Sequence, residues 1–333
     1  MRLLFTARAF SALLAIMAFV GCSDRQPTYT NCNGFAQGTT YSITYCDEQG
    51  RDFSSAFDSL LLCFDYSLSN HNDSSLLSRL NRGESSLKLD GWFVECMELA
   101  ARVYGECDSL LDPTLRPLIS AYGFGSAGRS GYHELSDSER DSLLSLVGFH
   151  RVGVCGDTLY REDRRISLDF SSIAQGQSVD VLSGWLVERG VSNFLVEVGG
   201  EIYAQGVNPK GRTWRVGVDK PTEGNIVPGA DLETVIELSG RGLATSGNYR
   251  KYFADSLGEK MTHTIDPRTG LMARHNLLSV TILAPNAALA DGYATACMVG
   301  GLEWAREFVG SRSDVSAFVV YSSGSGEMVS EHL

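Results

Sequence analysis

Asp291 and Thr295 stand four residues apart in a stretch with helical spacing, so both side-chain oxygens project from one face. A carboxylate and a hydroxyl so placed are hard ligands suited to Mg²⁺, which usually keeps waters and completes its shell with substrate phosphate. The same pair also reads as an ordinary helix start, an acid followed by a helical Thr. A second dense segment is His263-Thr264-Ile265-Asp266-Pro267-Arg268-Thr269-Gly270. An imidazole ahead of an Asp-Pro turn closed by Gly could set a base beside an anion-binding loop, or form a polar β-turn with a surface His. Val196 to Glu201 runs from a strand pattern into Gly199-Gly200, where backbone can approach a ligand closely or simply turn a hairpin. Asp112-Pro113-Thr114 is either a loop with a ligand role or a plain turn. No GxSxG, P-loop or dinucleotide GxGxxG spacing occurs. Taken singly, none of these segments names a reaction.

The elements that must position them follow from periodicity. Thr39 to Cys46 alternates as a strand, and Ile166, Leu168 and Phe170 predict another before SSIAQGQ. Phe53 to Phe64, Phe93 to Val103 and Glu134 to Leu146 carry helical spacing, and Val179, Leu182 and Leu186 mark a helix stopped near Gly190. Short strands are expected at Phe194–Val198, Glu201–Val207, Trp214–Asp219, Thr234–Leu238 and Leu277–Leu283. A late helix over about Ala288 to Val309, kinked at Gly300-Gly301, precedes a final strand from Val315 to Tyr321. Helices crowd the first third and short strands the rest, which predicts an α+β fold with mixed or antiparallel sheets rather than a βαβ alternation.

Composition bounds the rest. With 333 residues, 43% hydrophobic and 20% charged, the chain has ample material for a core, which excludes disordered and multi-span membrane classes. A net charge of −12 argues against a nucleic-acid partner, which is held by clustered Lys and Arg. Arg2 and Arg8 ahead of the apolar run Ala9 to Val20, closed by Gly21-Cys22, resemble a bacterial lipoprotein signal. On that reading residues 1–21 are removed, Cys22 is lipidated, 22–33 form a tether and 34–333 one domain, held on the cell envelope facing the periplasm. An ordinary cleaved signal or an N-terminal anchor are the alternatives. The other seven cysteines show no CxxC or CxxH spacing, so no zinc or thioredoxin-like motif is expected; a Cys32–Cys46 bridge is left open.

The order of the segments is more telling than any one of them. Ala36-Gln37-Gly38-Thr39-Thr40-Tyr41 is followed by Leu68-Ser69, Ser75-Leu76-Leu77-Ser78-Arg79-Leu80-Asn81, Asp112-Pro113-Thr114 and Tyr122-Gly123-Phe124-Gly125. Then come Leu168-Asp169-Phe170-Ser171-Ser172-Ile173-Ala174-Gln175-Gly176 with Val179-Asp180, Glu197-Val198-Gly199-Gly200-Glu201, Ala244-Thr245-Ser246-Gly247, HTIDPRTG, and Ala290-Asp291-Gly292-Tyr293-Ala294-Thr295. Over essentially all of residues 34–322 this resembles the ApbE family, the FAD:protein FMN transferases.

The resemblance implies a compact α+β body with an FAD cleft between closely packed lobes, and a periplasmic, Mg²⁺-dependent enzyme. Such enzymes split the pyrophosphate of FAD, place FMN on a Thr or Ser of a partner protein, and release AMP. The implied acceptors are subunits of Na⁺-pumping NADH:quinone reductase or Rnf-type electron-transfer complexes. Carried over residue by residue, Asp291 and Thr295 hold the metal with main-chain oxygen near Ser172 and Ala294. Gln37, His71, Leu110, Leu111, Asp112, Asp169, Gln175 and Ile265 line the nucleotide cleft, and His263 is the base. Three positions depart from the family pattern: Gln37 replaces a common Met, His71 a usual Tyr, and Gln175 a usual Lys or Glu. The metal pair and His263 are retained, so activity is expected. Hydrolysis of FAD to FMN and AMP at the same site, and a non-catalytic flavin-binding lipoprotein, are the alternatives.

Overall fold

The structure, a computed structural model, describes residues 28–84, 87–124, 132–222, 225, 227, 229–248, 252–254, 260–262 and 264–333. The signal, Cys22 and His263 lie outside the described residues. In chain order the strands and helices are β1 (Tyr29–Ala36), β2 (Thr39–Cys46), α1 (Ser54–Leu68), α2 (Leu76–Asn81), α3 (Gly91–Glu106), α4 (Arg116–Ala121) and α5 (Asp137–Leu144). There follow β3 (Val152–Cys155), β4 (Thr158–Arg161), α6 (Ala174–Glu188), β5 (Asn193–Val198), β6 (Glu201–Gln205), β7 (Trp214–Asp219), β8 (Leu232–Leu238) and β9 (Arg241–Gly247). The last are β10 (Tyr252–Ala254), β11 (Lys260–Thr262), β12 (Leu277–Ala284), α7 (Ala287–Gly310), β13 (Ser316–Ser322) and β14 (Met328–His332).

Eight strands form one sheet in the order β1-β2-β5-β6-β9-β12-β13-β14, with every neighbouring pair antiparallel. Strand alternation sorts its side chains: Ala244, Val280, Ile282, Ala317 and Val319 face a core shared with α3 and α7. Ile43, Tyr45, Val196 and Val198 pack with α1 and α6 in a second cluster on the helical side. The opposite face, through Ala204, Leu243, Phe318 and Val320, is closed by the β7–β8 hairpin with Trp214, Val216, Ile236 and Leu238. A small satellite cluster of Leu115, Leu118, Tyr122, Phe124, Ile265 and Met272 stands apart from these cores. The result is the expected α+β body.

Helix boundaries follow local chemistry. Asp90 accepts the Phe93 N–H and starts α3, and Ser136 and Glu139 form a capping box on α5. The late helix turns at Gly301, whose φ of 82° and ψ of −178° break its regular path.

Two expectations change, and one open possibility closes. The tether assigned to 22–33 ends earlier, because β1 pairs with β2 from Tyr29 onward. Asn31 and Asn33 face solvent on this edge strand while Cys32 is buried, so polar composition concealed a strand. Ile166–Phe170 is extended and buried on alternate residues but joins no sheet. The Asn81 side chain takes both backbone groups of Leu168, and the Pro113 carbonyl takes the Asp169 N–H. Cys32 stands opposite Ile43 and Cys46 opposite Tyr29, so no Cys32–Cys46 bridge forms; all seven described cysteines are free thiols.

Candidate active site

The start of α7 is fixed more firmly than any other part of the site. Asp180 of α6 accepts the Ala287 N–H at 2.8 Å and the Ala288 N–H at 2.9 Å, one on each carboxylate oxygen. Asn286 caps the Leu289 N–H at 2.9 Å. Two glycines let neighbouring backbone press against this turn: a Cβ on Gly176 would lie 2.4 Å from the Ala287 carbonyl oxygen, and one on Gly242 would lie 2.2 Å from the Ala287 nitrogen. One turn on, the Tyr293 hydroxyl donates to Glu106 of α3, which also pairs with Arg102 at 3.0 Å and Arg312 at 3.2 Å.

This scaffold presents Asp291 and Thr295 toward α6 and β9. The Gly176 N–H donates to Asp291 Oδ2 at 3.3 Å, and Thr295 Oγ1 lies 3.4 Å from Ser246 Oγ. Asp291 is buried, and burial pushes its carboxyl up to about 7 against the Gly176 N–H, with Asp180 adding to the rise. Glu201 is pushed well above the usual carboxylate range, by burial first and by Asp291 second. Among the described residues no Lys or Arg pairs with Asp291. A buried carboxylate lacking a counter-charge, with a hydroxyl one turn away, fits a hard cation. No cluster of three His, Cys, Asp or Glu side chains suited to a metal occurs among the described residues, so main-chain oxygens, water or a ligand would complete the shell. Ala294 is wholly buried beside Thr295.

A cavity of about 340 Å³ opens between this corner and the satellite cluster. His71, Leu110, Leu111, Asp112, Asp169, Ser172, Ile265 and Thr295 all line it, joining residues from segments scattered over more than 200 positions of chain. Gln37 and Gln175 line an adjoining cavity that shares Asn70, His71 and Ser171 with the first. Asp291 lies behind Thr295 rather than in the cavity wall. Ser246, Gly247, Asn248 and Thr264 also line the first cavity; the ATSG segment pointed to the first two, while Asn248 carried no sequence signal.

The polar wall residues are held in different ways. Asp112 Oδ1 accepts the Thr114 N–H at 2.8 Å and hydroxyl at 2.6 Å, and Oδ2 accepts the Phe149 N–H at 3.0 Å. Its carboxylate therefore caps the short helix Pro113–Leu115 while lining the cavity; burial raises its pKa despite these bonds. Asp169 Oδ1 accepts Asn70 Nδ2 at 2.8 Å and the Ser171 N–H at 2.8 Å. Gln175 Nε2 donates to Glu201 at 2.6 Å and to the Val198 carbonyl at 3.1 Å. Gln37 sits in the β1–β2 turn at a φ of 53°, and its Nε2 is buried with no acceptor among the described residues, leaving a donor for a ligand. In the HTIDPRTG segment the Asp266 carbonyl accepts the Gly270 N–H at 2.8 Å, and Tyr122 donates to the Gly270 carbonyl at 2.8 Å. That clasp holds Thr264 and Ile265, immediately after His263, in the cavity wall.

Comparison with known proteins gives this arrangement a lineage. A sequence model of the ApbE family matches residues 37–319. An FAD:protein FMN transferase from Vibrio cholerae is 32% identical over 298 residues, covering 88% of this chain and 87% of that protein. One from Escherichia coli K12 is 30% identical over 331 residues, covering 94% and 92%. Among solved structures, the flavin transferase ApbE from Vibrio cholerae superimposes with a TM-score of 0.81 at 29% identity, covering 92% of this chain and 97% of that one. The apo flavinyl transferase ApbE from Pseudomonas stutzeri gives 0.81 at 30%, covering 92% and 95%. The chain belongs to the ApbE family.

Proposed function

We propose that this protein is an FAD:protein FMN transferase, moving FMN from FAD onto a threonine or serine of a partner protein and releasing AMP. The observation that carries this is the Asp291–Thr295 pair, a buried carboxylate without a basic partner among the described residues, set one turn from a hydroxyl in the wall of a cleft. Asp291 and Thr295 would hold Mg²⁺, with main-chain oxygen at Ser172 and Ala294. When bound, the cation supplies the charge neutralisation that a pyrophosphate needs.

The chain's own residues do the rest. Leu110, Leu111, Asp112, Asp169 and Ile265 confine the dinucleotide, and Gln37 offers it a free amide donor. His71 and Gln175 stand where the family resemblance implies a phenol and a charge, so an imidazole and an amide offer hydrogen bonds there instead. A threonine hydroxyl is a weak nucleophile, and His263 takes its proton. The hydroxyl oxygen bonds to the FMN-side phosphorus, the bridging P–O bond breaks, and AMP leaves with its electron pair. The lipoprotein-like signal and Cys22 support placing the protein on the cell envelope, facing the periplasm, with acceptors in Na⁺-pumping NADH:quinone reductase or Rnf-type complexes. Among the described residues no helix is long and apolar enough to cross a membrane.

The test incubates the full chain with FAD, Mg²⁺ and an acceptor subunit. AMP release that depends on the acceptor, with flavin covalently attached to it, is expected. AMP release without an acceptor and with no covalent flavin would make the protein a FAD pyrophosphatase instead.

A further inference from the structure

We propose that His275 is a positioning residue for the dinucleotide: by holding the break in α7 it keeps Met298 and Val299 in the wall of the first cavity. The proposal rests on the transfer reading and adds to it a residue that lines neither of the two cavities described above.

Past Thr295, α7 leaves its regular path at Gly301. A regular helix would give the Met298 carbonyl to the Leu302 N–H, four residues on. Here an imidazole from outside the helix takes that carbonyl: His275 Nε2 donates to the Met298 oxygen at 2.7 Å, while Nδ1 accepts the Leu277 N–H at 3.3 Å. The second bond sets the tautomer, because a ring nitrogen that accepts leaves the proton on the other. Met298 is buried, so losing His275 would strip a donor from a carbonyl that water does not readily reach. Both Met298 and Val299 line the first cavity, which makes this bond part of its wall.

The break is packed from both sides. A Cβ on Gly301 would lie 3.1 Å from His275 Cδ2, and one on Gly300 would lie 2.9 Å from Leu110 Cδ1. One glycine therefore admits the imidazole, and the other a leucine that also lines the cavity. Trp304, one turn past Gly300, donates from Nε1 to Asp108 at 3.0 Å, and Asp108 and Ser109 run left-handed, at φ of 50° and 61°, into residues 110–112. Met298, Val299 and Leu110 thus meet at one junction, tied by His275 to the start of β12 and, through the Met272–Ile265 pairing, to the segment after His263. The cation corner is braced separately, by Asp180 and Asn286 at the other end of α7. Loosening the break should therefore shift the apolar wall and leave Asp291 and Thr295 in place, a loss of binding without a loss of turnover.

Two readouts on the full chain test this: flavin fluorescence during titration with FAD and Mg²⁺ for affinity, and acceptor-dependent AMP release at saturating FAD for kcat. His275→Ala should weaken FAD binding about tenfold and change kcat by less than about twofold. His275→Gln, whose amide N–H can still donate to the Met298 carbonyl, should recover most of the affinity. Asn276→Ala is the control: it deletes an equally short bond on the next residue, 2.7 Å to the Ser322 carbonyl, and should lower the urea midpoint while FAD affinity holds. Nitrogen NMR of histidine-labelled wild type should find the His275 proton on Nε2, and it decides the matter if His275→Ala does not fold. Unchanged FAD affinity in His275→Ala, no recovery in His275→Gln, an equal loss in Asn276→Ala, a fall in kcat as large as the loss of affinity, or a proton on Nδ1 would overturn the proposal. Wild-type protein that binds FAD yet leaves no covalent flavin on the acceptor would overturn transfer instead, with the role of His275 still read from affinity and tautomer.

Discussion

The two walls of the cavity beside Thr295 are built by different physics. The inner wall, at the start of α7, is braced by backbone in hard contact, by three hydrogen bonds to the side chains of Asp180 and Asn286 and by the Tyr293–Glu106 link to α3. The outer wall is a six-residue apolar cluster on short helices and a turn, clasped by single hydrogen bonds such as Tyr122 to Gly270. The inner wall carries Thr295 with Asp291 behind it, and the outer cluster carries apolar residues that enclose. Rigidity is concentrated where an uncompensated carboxylate is buried, because that carboxylate holds its place only if the elements around it cannot relax.

The largest effect should come from breaking the brace. Gly242→Ala puts a methyl 2.2 Å from the Ala287 nitrogen, so unfolding free energy should fall by about 3 kcal/mol, read from urea midpoints. Next, Asp291→Asn should lower acceptor-dependent AMP release roughly 100-fold. Metal-free stability should hold or rise, since an isosteric amide removes a charge that burial disfavours. A lower urea midpoint with retained activity would remove the metal assignment.

Breaking the outer wall should matter less. Tyr122→Phe deletes one buried bond to Gly270, costs about 1 kcal/mol, and should weaken FAD binding about fivefold in a titration without loss of fold. A pH-dependent effect sharpens the inner wall. Desolvation pushes Asp180 up to about 7, above its unfolded value, so its contribution to stability is complete at low pH and lost as pH rises through 7. Asp180→Asn does not titrate, so wild type should exceed it in stability by more at pH 5 than at pH 8.

Legibility followed the same division. Asp291 and Thr295 could be paired from spacing alone because helix geometry fixes what lies four residues apart. The family resemblance, not periodicity, gathered Leu110, Leu111, Asp112, Asp169 and Ile265, whose convergence depends on how the chain returns to one cleft. The role of Asp180 as a double cap was invisible, since nothing in Val179-Asp180 says that a helix more than 100 residues later begins there. Gly176 and Gly242 gave no hint of which backbone they admit. The tether expected over 22–33 takes in the first five residues of the strand Tyr29–Ala36, because an edge strand can be polar on one side. Ile166–Phe170 alternated like a strand because burial alternates there, although its backbone bonds go to Asn81 and Pro113.

The central claim is that Asp291 and Thr295 form a cation site in an otherwise unbalanced acidic corner. Titration of the full-length protein with Mn²⁺, followed by its paramagnetic resonance signal, measures that directly. Wild type should take up one ion per chain. Asp291→Asn should weaken it at least tenfold and Thr295→Val to a smaller degree, with unchanged far-UV circular dichroism in both. Equal Mn²⁺ affinity in wild type and Asp291→Asn would contradict the account.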